Sequence, residues 1–196
     1  MPSEPTSPES TARVRLDKFD AKLGLDRGRP RVVEAIWYLT RRVFFTTSFP
    51  WPSGLKAGLL RMFGARVGRG VVIKTRVTVH FPWKLSVGDH SWIGEEAWIL
   101  NFEPVTIGAH ACISQRAFLC AGNHDFRAGD FRYRNAPIRI GDGAWIGAQS
   151  FVAPGVEVGR ECVVCAGSVV TTSLPAAMVC SGNPCTPGKA RWSTTA

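Results

Sequence analysis

The chain has 196 residues, 45% of them hydrophobic, which suits one main domain with a packed core. Its formal charge is +9, and its first 66 residues hold 12 Lys/Arg against 6 Asp/Glu. That balance favours anionic surfaces, but no nucleic-acid-binding motif accompanies it, so a nucleic-acid partner is set aside.

Residues 1–12 (MPSEPTSPESTA) are rich in Pro, Ser, Thr and Glu and predict a disordered tail. They lack the basic and apolar regions of a signal peptide, so a cytoplasmic location is expected. Residues 13–66 predict a short helical segment. Within it, Val32–Phe49 is the most apolar stretch outside the repeats described next, and Arg41 and Arg42 interrupt it at the middle. Two arginines there argue against a membrane span. The expected helix either caps the open end of the following domain or lies on a membrane surface, at the inner face of the membrane.

From Val67 onward, branched aliphatics recur every six residues. The runs are Val67, Ile73, Val79; Val87, Ile93, Ile99; Ile107, Ile113, Leu119; and Ile140, Ile146, Val152, Val158, Val164, Val170. Glycine follows many of them, as at Gly68, Gly88, Gly94, Gly108, Gly141, Gly147 and Gly159. A hexapeptide period predicts an all-β solenoid over 67–175, a parallel β-helix in which three hexads close one coil. Each hexad supplies one inward aliphatic and one tight turn. An antiparallel sheet would instead place turns every ~8–12 residues. The phase slips at Val79–Val87, at Ile99–Ile107, and most widely at Leu119–Ile140. Residues 121–137 (AGNHDFRAGDFRYRNAP) have no hexad spacing and predict one protruding loop, the place on a repetitive scaffold where function concentrates. Residues 176–196 read as a C-terminal tail.

Arg127, Arg132, Arg134 and Arg139 in and beside the loop suit either a phosphate-bearing ligand or a solvated basic face. Of the six cysteines, Cys162 and Cys165 make a lone CxxC inside one hexad and take packing roles rather than metal or redox ones. Of four histidines, His80, His90 and His110 lie near corners, whereas His124 lies in the loop between Asn123 and Asp125. An imidazole is the side chain suited to general-base work near neutral pH.

Several segments carry a resemblance. They are CISQRAFLCAGNHDF (112–126), IGDGAWIGAQSFVAPGVEVG (140–159), AGSVVTTSLP (166–175) and SGNPC (181–185), with LLRMFGARVGRGVVI (59–73) and GDHSWIGEEAWILN (88–101) upstream. Together the chain resembles the hexapeptide-repeat acyltransferases, and more narrowly the acetyltransferases of colanic acid and related exopolysaccharide biosynthesis. The resemblance implies a left-handed parallel β-helix, assembled as a homotrimer with acetyl-coenzyme A in a groove between subunits. It implies an O-acetyltransferase in which His124 takes the proton of a hydroxyl on a sugar or lipid-linked saccharide. Asn123 and Asp125 would touch the acceptor, and Asp125 either orients the imidazole or closes its own turn. A backbone N–H near Gly147–Ala148 would meet the oxyanion. Trp145, Ala148, Ala166 and Thr171 would line the pantetheine arm, and Lys189 would approach the nucleotide phosphates. Thr172 and Thr186 depart from the basic residues found in relatives, so phosphate contacts are either fewer or come from elsewhere, such as the loop arginines of a neighbour.

Two other classes fit the repeat: a non-catalytic solenoid scaffold, and a metal enzyme of the γ-carbonic-anhydrase type. The first has no need of the His124 loop. The second needs three converging histidines, and here no tight pair exists, so no metal is expected. Serine acetyltransferases and nucleotide-sugar N-acyltransferases remain neighbouring possibilities, the former with a larger helical N-terminal domain.

Overall fold

A computed structural model describes residues 13–192; the tail 1–12 and residues 193–196 lie outside the described part. From Arg66 the chain winds into a three-sided prism of two- and three-residue parallel strands. Face 1 climbs from Arg66–Val67 to Glu157–Val158, face 2 from Val72–Ile73 to Val163–Val164, and face 3 from Thr78–Val79 to Val169–Val170. Residues 176–196, read from sequence as a tail, contain a hairpin. Its first strand, Met178–Gly182, pairs in parallel with Val163–Val164, and Cys185–Ala190 folds back antiparallel on it.

The six-residue period builds this shape because it returns an aliphatic to the same height on each successive face. Val67, Val87, Ile107, Ile140 and Val158 are aligned partners on face 1, and Ile73, Ile93, Ile113, Ile146 and Val164 on face 2. All are buried, stacking into one apolar column. Coil-to-coil packing leaves no room at some turns. A Cβ on Gly147 would lie 2.5 Å from the Ala166 nitrogen, so only glycine lets the two coils close.

The slips in phase have structural causes. Between Val79 and Val87 the extra residues form a 3₁₀ turn, Pro82–Lys84. Between Ile99 and Ile107 sits Asn101, fully buried. Its Oδ1 accepts from the His80 and Phe81 N–H groups at 3.1 and 2.9 Å, and its Nδ2 donates to the Phe81 carbonyl at 2.5 Å.

Two helices, α1 (Arg31–Phe44) and α2 (Ser53–Met62), lie across the N-terminal end. Their inner faces satisfy carbonyls of all three edge strands, which would otherwise lack partners. Trp37 Nε1 and an Arg41 Nη reach the Val79 carbonyl at 3.1 and 3.3 Å. Lys56 Nζ donates to Ile73 and Lys74 at 3.3 and 2.7 Å, and Arg61 to Val67 and Gly68 at 2.8 and 2.7 Å. Burial lowers the Lys56 ammonium pKa, and the two carbonyls accept hydrogen bonds from it.

Residues 13–29 do something the sequence did not announce. They run along the flank as a strap and clasp the 121–137 loop: the Arg15 N–H donates to the Gly129 carbonyl at 2.8 Å, and Asn135 Nδ2 to the Gly24 carbonyl at 3.2 Å. Trp83 Nε1 holds the strap at the Arg27 carbonyl, 2.6 Å away, and Lys84 Nζ holds it at the Asp26 carbonyl.

Candidate functional site

The 121–137 loop leaves the edge between faces 3 and 1 after strand Phe118–Cys120 and doubles back on itself. The Asp125 N–H donates to the Arg132 carbonyl and the Arg134 N–H to the Asn123 carbonyl, both at 2.8 Å. This pairing brings Phe131 and Tyr133 against His124. The imidazole lies flat on Phe131, centroids 4.3 Å apart and planes 7° apart, with Tyr133 tilted at 4.8 Å. From the strap, Phe19 meets it edge-on at 5.2 Å.

One hydrogen bond sets the chemistry of this ring. His124 Nδ1 is 2.7 Å from the Phe131 carbonyl oxygen. A carbonyl only accepts, so in this contact Nδ1 carries the proton, and the neutral ring presents its lone pair at Nε2. Asn123 Oδ1 accepts from the His124 N–H at 2.8 Å. Asp125 Oδ1 accepts from the Arg127 N–H at 3.1 Å, closing its own turn. The imidazole is therefore oriented by a backbone carbonyl rather than by the neighbouring carboxylate.

A second feature lies on the edge between faces 2 and 3. A groove of about 350 Å³ is lined by Ser114, Gln115, Trp145, Gly147, Ala148, Val163, Val164, Cys165 and Ala166. The half-exposed Trp145 ring forms one wall and is fixed by Nε1 donating to Ser114 Oγ at 2.8 Å. The Gly147 N–H is spent on the Val164 carbonyl at 2.8 Å. The Ala148, Gln115 and Ala166 N–H groups have no partner among the described residues, and all three residues line the groove.

Trp145, Ala148 and Ala166 thus come together in one groove, and Asn123, His124 and Asp125 in one loop. Lys189 pairs with Val179 at the C-terminal extension of face 2, beyond the groove. Thr171 follows strand Val169–Val170 and is exposed on the loop's edge of the prism. No loop residue lines the groove: the width of face 3 separates them within one chain. Phe19, Phe131, Ser114 and Gln115 were not singled out from sequence. Ser114 and Gln115 lie within the 112–126 segment that carries the resemblance, Phe19 and Phe131 lie outside the quoted segments, and only the fold brings the four to the two parts of the site.

The other titratable groups lie elsewhere. His90 and His110 stack at 5.3 Å between faces 1 and 2. His80 is held by Phe81 and Phe102 under the loop, and burial, with Arg41 adding to it, lowers its pKa to about 4. Among the described residues, no three His, Cys, Asp or Glu side chains cluster as metal ligands. All six cysteines are free, and burial pushes the Cys162 thiol up to about 12, too high for a nucleophile at neutral pH. Of the loop arginines, Arg132 pairs with Asp130 at 3.0 Å and Arg127 lies over Phe126, while Arg139 belongs to face 1.

Comparison with known proteins places this architecture. Residues 137–172 match the family model described as the hexapeptide repeat of succinyl-transferase. WcaF of Escherichia coli (strain K12), by name a colanic acid biosynthesis acetyltransferase, is 41% identical over 158 residues, spanning 81% of this chain and 87% of that protein. A galactoside acetyltransferase solved in complex with coenzyme A superposes with a TM-score of 0.74 at 25% identity, covering 82% of each chain. A maltose O-acetyltransferase from Clostridium difficile 630 superposes at 0.76 with 23% identity, over 83% of this chain and 88% of that one, and shows the fold alone. The solenoid is a left-handed parallel β-helix, and the chain belongs to the hexapeptide-repeat acetyltransferases, in the branch that includes the colanic acid biosynthesis proteins.

Proposed function

We propose that this chain transfers the acetyl group of acetyl-coenzyme A to a hydroxyl of a sugar or lipid-linked exopolysaccharide precursor, with His124 as general base. The observation that carries the reading is the bond from His124 Nδ1 to the Phe131 carbonyl, which leaves Nε2 ready to accept a proton. The acceptor hydroxyl gives its proton to Nε2 as its oxygen bonds to the acetyl carbonyl carbon. The Ala148 N–H meets the charge that develops on the carbonyl oxygen. As the carbon–sulfur bond breaks, the imidazolium returns the proton to the departing thiolate, and His124 is neutral again.

Trp145, Ala148 and Ala166 form the walls for the pantetheine arm, and Lys189 lies further along the same face for the phosphates. Asn123 and Asp125 border the acceptor side. The galactoside acetyltransferase bound to coenzyme A supports the choice of donor, and WcaF supports a saccharide acceptor of the colanic acid kind.

The separation of loop and groove supports a homotrimer. With three prisms side by side, the loop edge of one copy faces the groove edge of the next, and Thr171 on the loop edge then approaches a neighbour's groove. Face 3, lying between the two edges, carries an outward aromatic ladder. Trp98 stacks on Phe118 at 4.7 Å, and Phe151 meets Phe118 edge-on at 5.5 Å.

Replacement of His124 tests the reading. His124→Ala is expected to lower acetyl transfer at least about 100-fold while coenzyme A binding, measured by calorimetry, stays within about twofold. Ala148→Trp is expected to fill the groove and weaken coenzyme A binding at least about tenfold. Activity retained in the first variant removes His124 as the base, and unchanged affinity in the second moves the donor elsewhere.

A further inference from the structure

The inner side of α1 is committed to capping the prism, through Trp37 and Arg41 at the Val79 carbonyl. Its outer side is left exposed by the described residues. Val32, Ile36, Leu39 and Val43 are 65%, 51%, 71% and 53% exposed. At about 100° per residue these four positions fall within one arc of roughly 60°, opposite Trp37 and Arg41. A helix that served only as a lid would place polar side chains there. The same end of the molecule adds Phe49, Leu55 and Met62, at 57%, 41% and 72% exposure.

The charge bordering this stripe has one sign. Arg31 and Arg42 are exposed on α1. Glu34 is the single acid of the two helices, and it is neutralised by Arg27 at 2.6 Å.

We propose that the N-terminal end of the prism docks on an anionic lipid bilayer, with α1 lying in the interface. A 14-residue helix with an apolar stripe on one side and arginines beside it has the form of an interfacial helix. No helix among the described residues is long and apolar enough to cross a membrane, so the contact is with the surface. Arginines at the margin gain from anionic headgroups, and aliphatics gain from the acyl boundary. The docking requires nothing of the acetyl-transfer reading. If both hold, three prisms in parallel present three such ends to one surface, and avidity multiplies the weak single contact.

The test is sedimentation of the full chain with vesicles of phosphatidylglycerol and phosphatidylethanolamine, beside vesicles of phosphatidylcholine alone. The wild-type chain is expected to partition at least about tenfold more strongly onto the anionic vesicles, with binding falling as salt is raised. Ile36→Ser/Leu39→Ser is expected to lose that binding at least about tenfold. Arg31→Gln/Arg42→Gln is expected to lose it several-fold at low salt. Since all four side chains are exposed, unchanged thermal midpoints identify the losses as loss of docking. Absence of wild-type binding to the anionic vesicles overturns the proposal, as does full binding by the Ile36→Ser/Leu39→Ser variant. A stripe that serves a second copy instead would show as a mass in solution that this variant halves, without vesicle binding, and that also overturns it.

Discussion

At His124 the imidazole is held by one carbonyl and three aromatic rings, and one of those rings comes from a residue more than a hundred positions away in the chain. Phe19 buttresses the ring edge-on and also meets Tyr133 at 5.2 Å. Its removal leaves His124 bonded to Phe131 but free to rock. Phe19→Ala is expected to lower kcat about tenfold, with the donor KM nearly unchanged and activity restored largely by Phe19→Tyr; a parallel rise in donor KM would make the role merely structural. His80 makes a different residue-scale prediction. Its folded pKa of about 4 lies below the ordinary value of about 6.5, chiefly because burial disfavours the charged ring. Between those two values the unfolded chain binds more protons, so stability is lost as pH falls through that window. The loss is at most roughly 3 kcal/mol at 1.36 kcal/mol per unit, less where water screens the ring. Urea unfolding at pH 7 and pH 4.5 should show it, and His80→Phe should flatten that slope; an equal slope in the variant assigns it to other groups.

At the scale of elements, the hexad strands are too short to be stable alone, and their register depends on what fills the corners. Asn101 is such a filler, answering two N–H groups and one carbonyl in an apolar surround. Asn101→Ala leaves the Phe81 N–H buried without a partner, while the Phe81 carbonyl keeps the Lys84 N–H at 3.0 Å, and is expected to destabilise the fold by about 1–3 kcal/mol. A thermal midpoint within about 2 °C of wild type would show that water enters the gap and replaces the amide. The cysteines show the opposite case. Cys162 and Cys180 sit 3.6 Å apart, Sγ to Sγ, as buried small residues, although only Cys162 holds a hexad position.

For the whole molecule, the two halves of the candidate site lie on different edges of one prism, so the proposed reaction joins the loop of one copy to the groove of another. Trp98→Ser/Phe118→Ser is expected to shift the species in solution from about three copies to one and to lower acetyl transfer at least about tenfold, each read by light scattering and by rate. A fully active monomer would place donor and acceptor within a single chain. The solenoid itself was legible from Val67 to Val170, because a period of six stacks inward aliphatics whatever the rest of the chain does. The loop was legible as a break in that period. The groove's Trp145, Ala148 and Ala166 came from resemblance, and coil stacking explains why residues 18–21 positions apart line one wall. Handedness was not legible from the repeat, because either coil buries the same aliphatics. By itself, then, the sequence determined the prism, its interruption at 121–137 and the family it joins, since these follow from local period and motif. Only the tertiary structure decided that a strap at 13–29 braces His124, that a carbonyl rather than Asp125 orients its ring, and that the apolar outer side of α1 is exposed among the described residues. Those outcomes rest on contacts between segments distant in sequence, and no local pattern encodes which segment a flank or an end will meet.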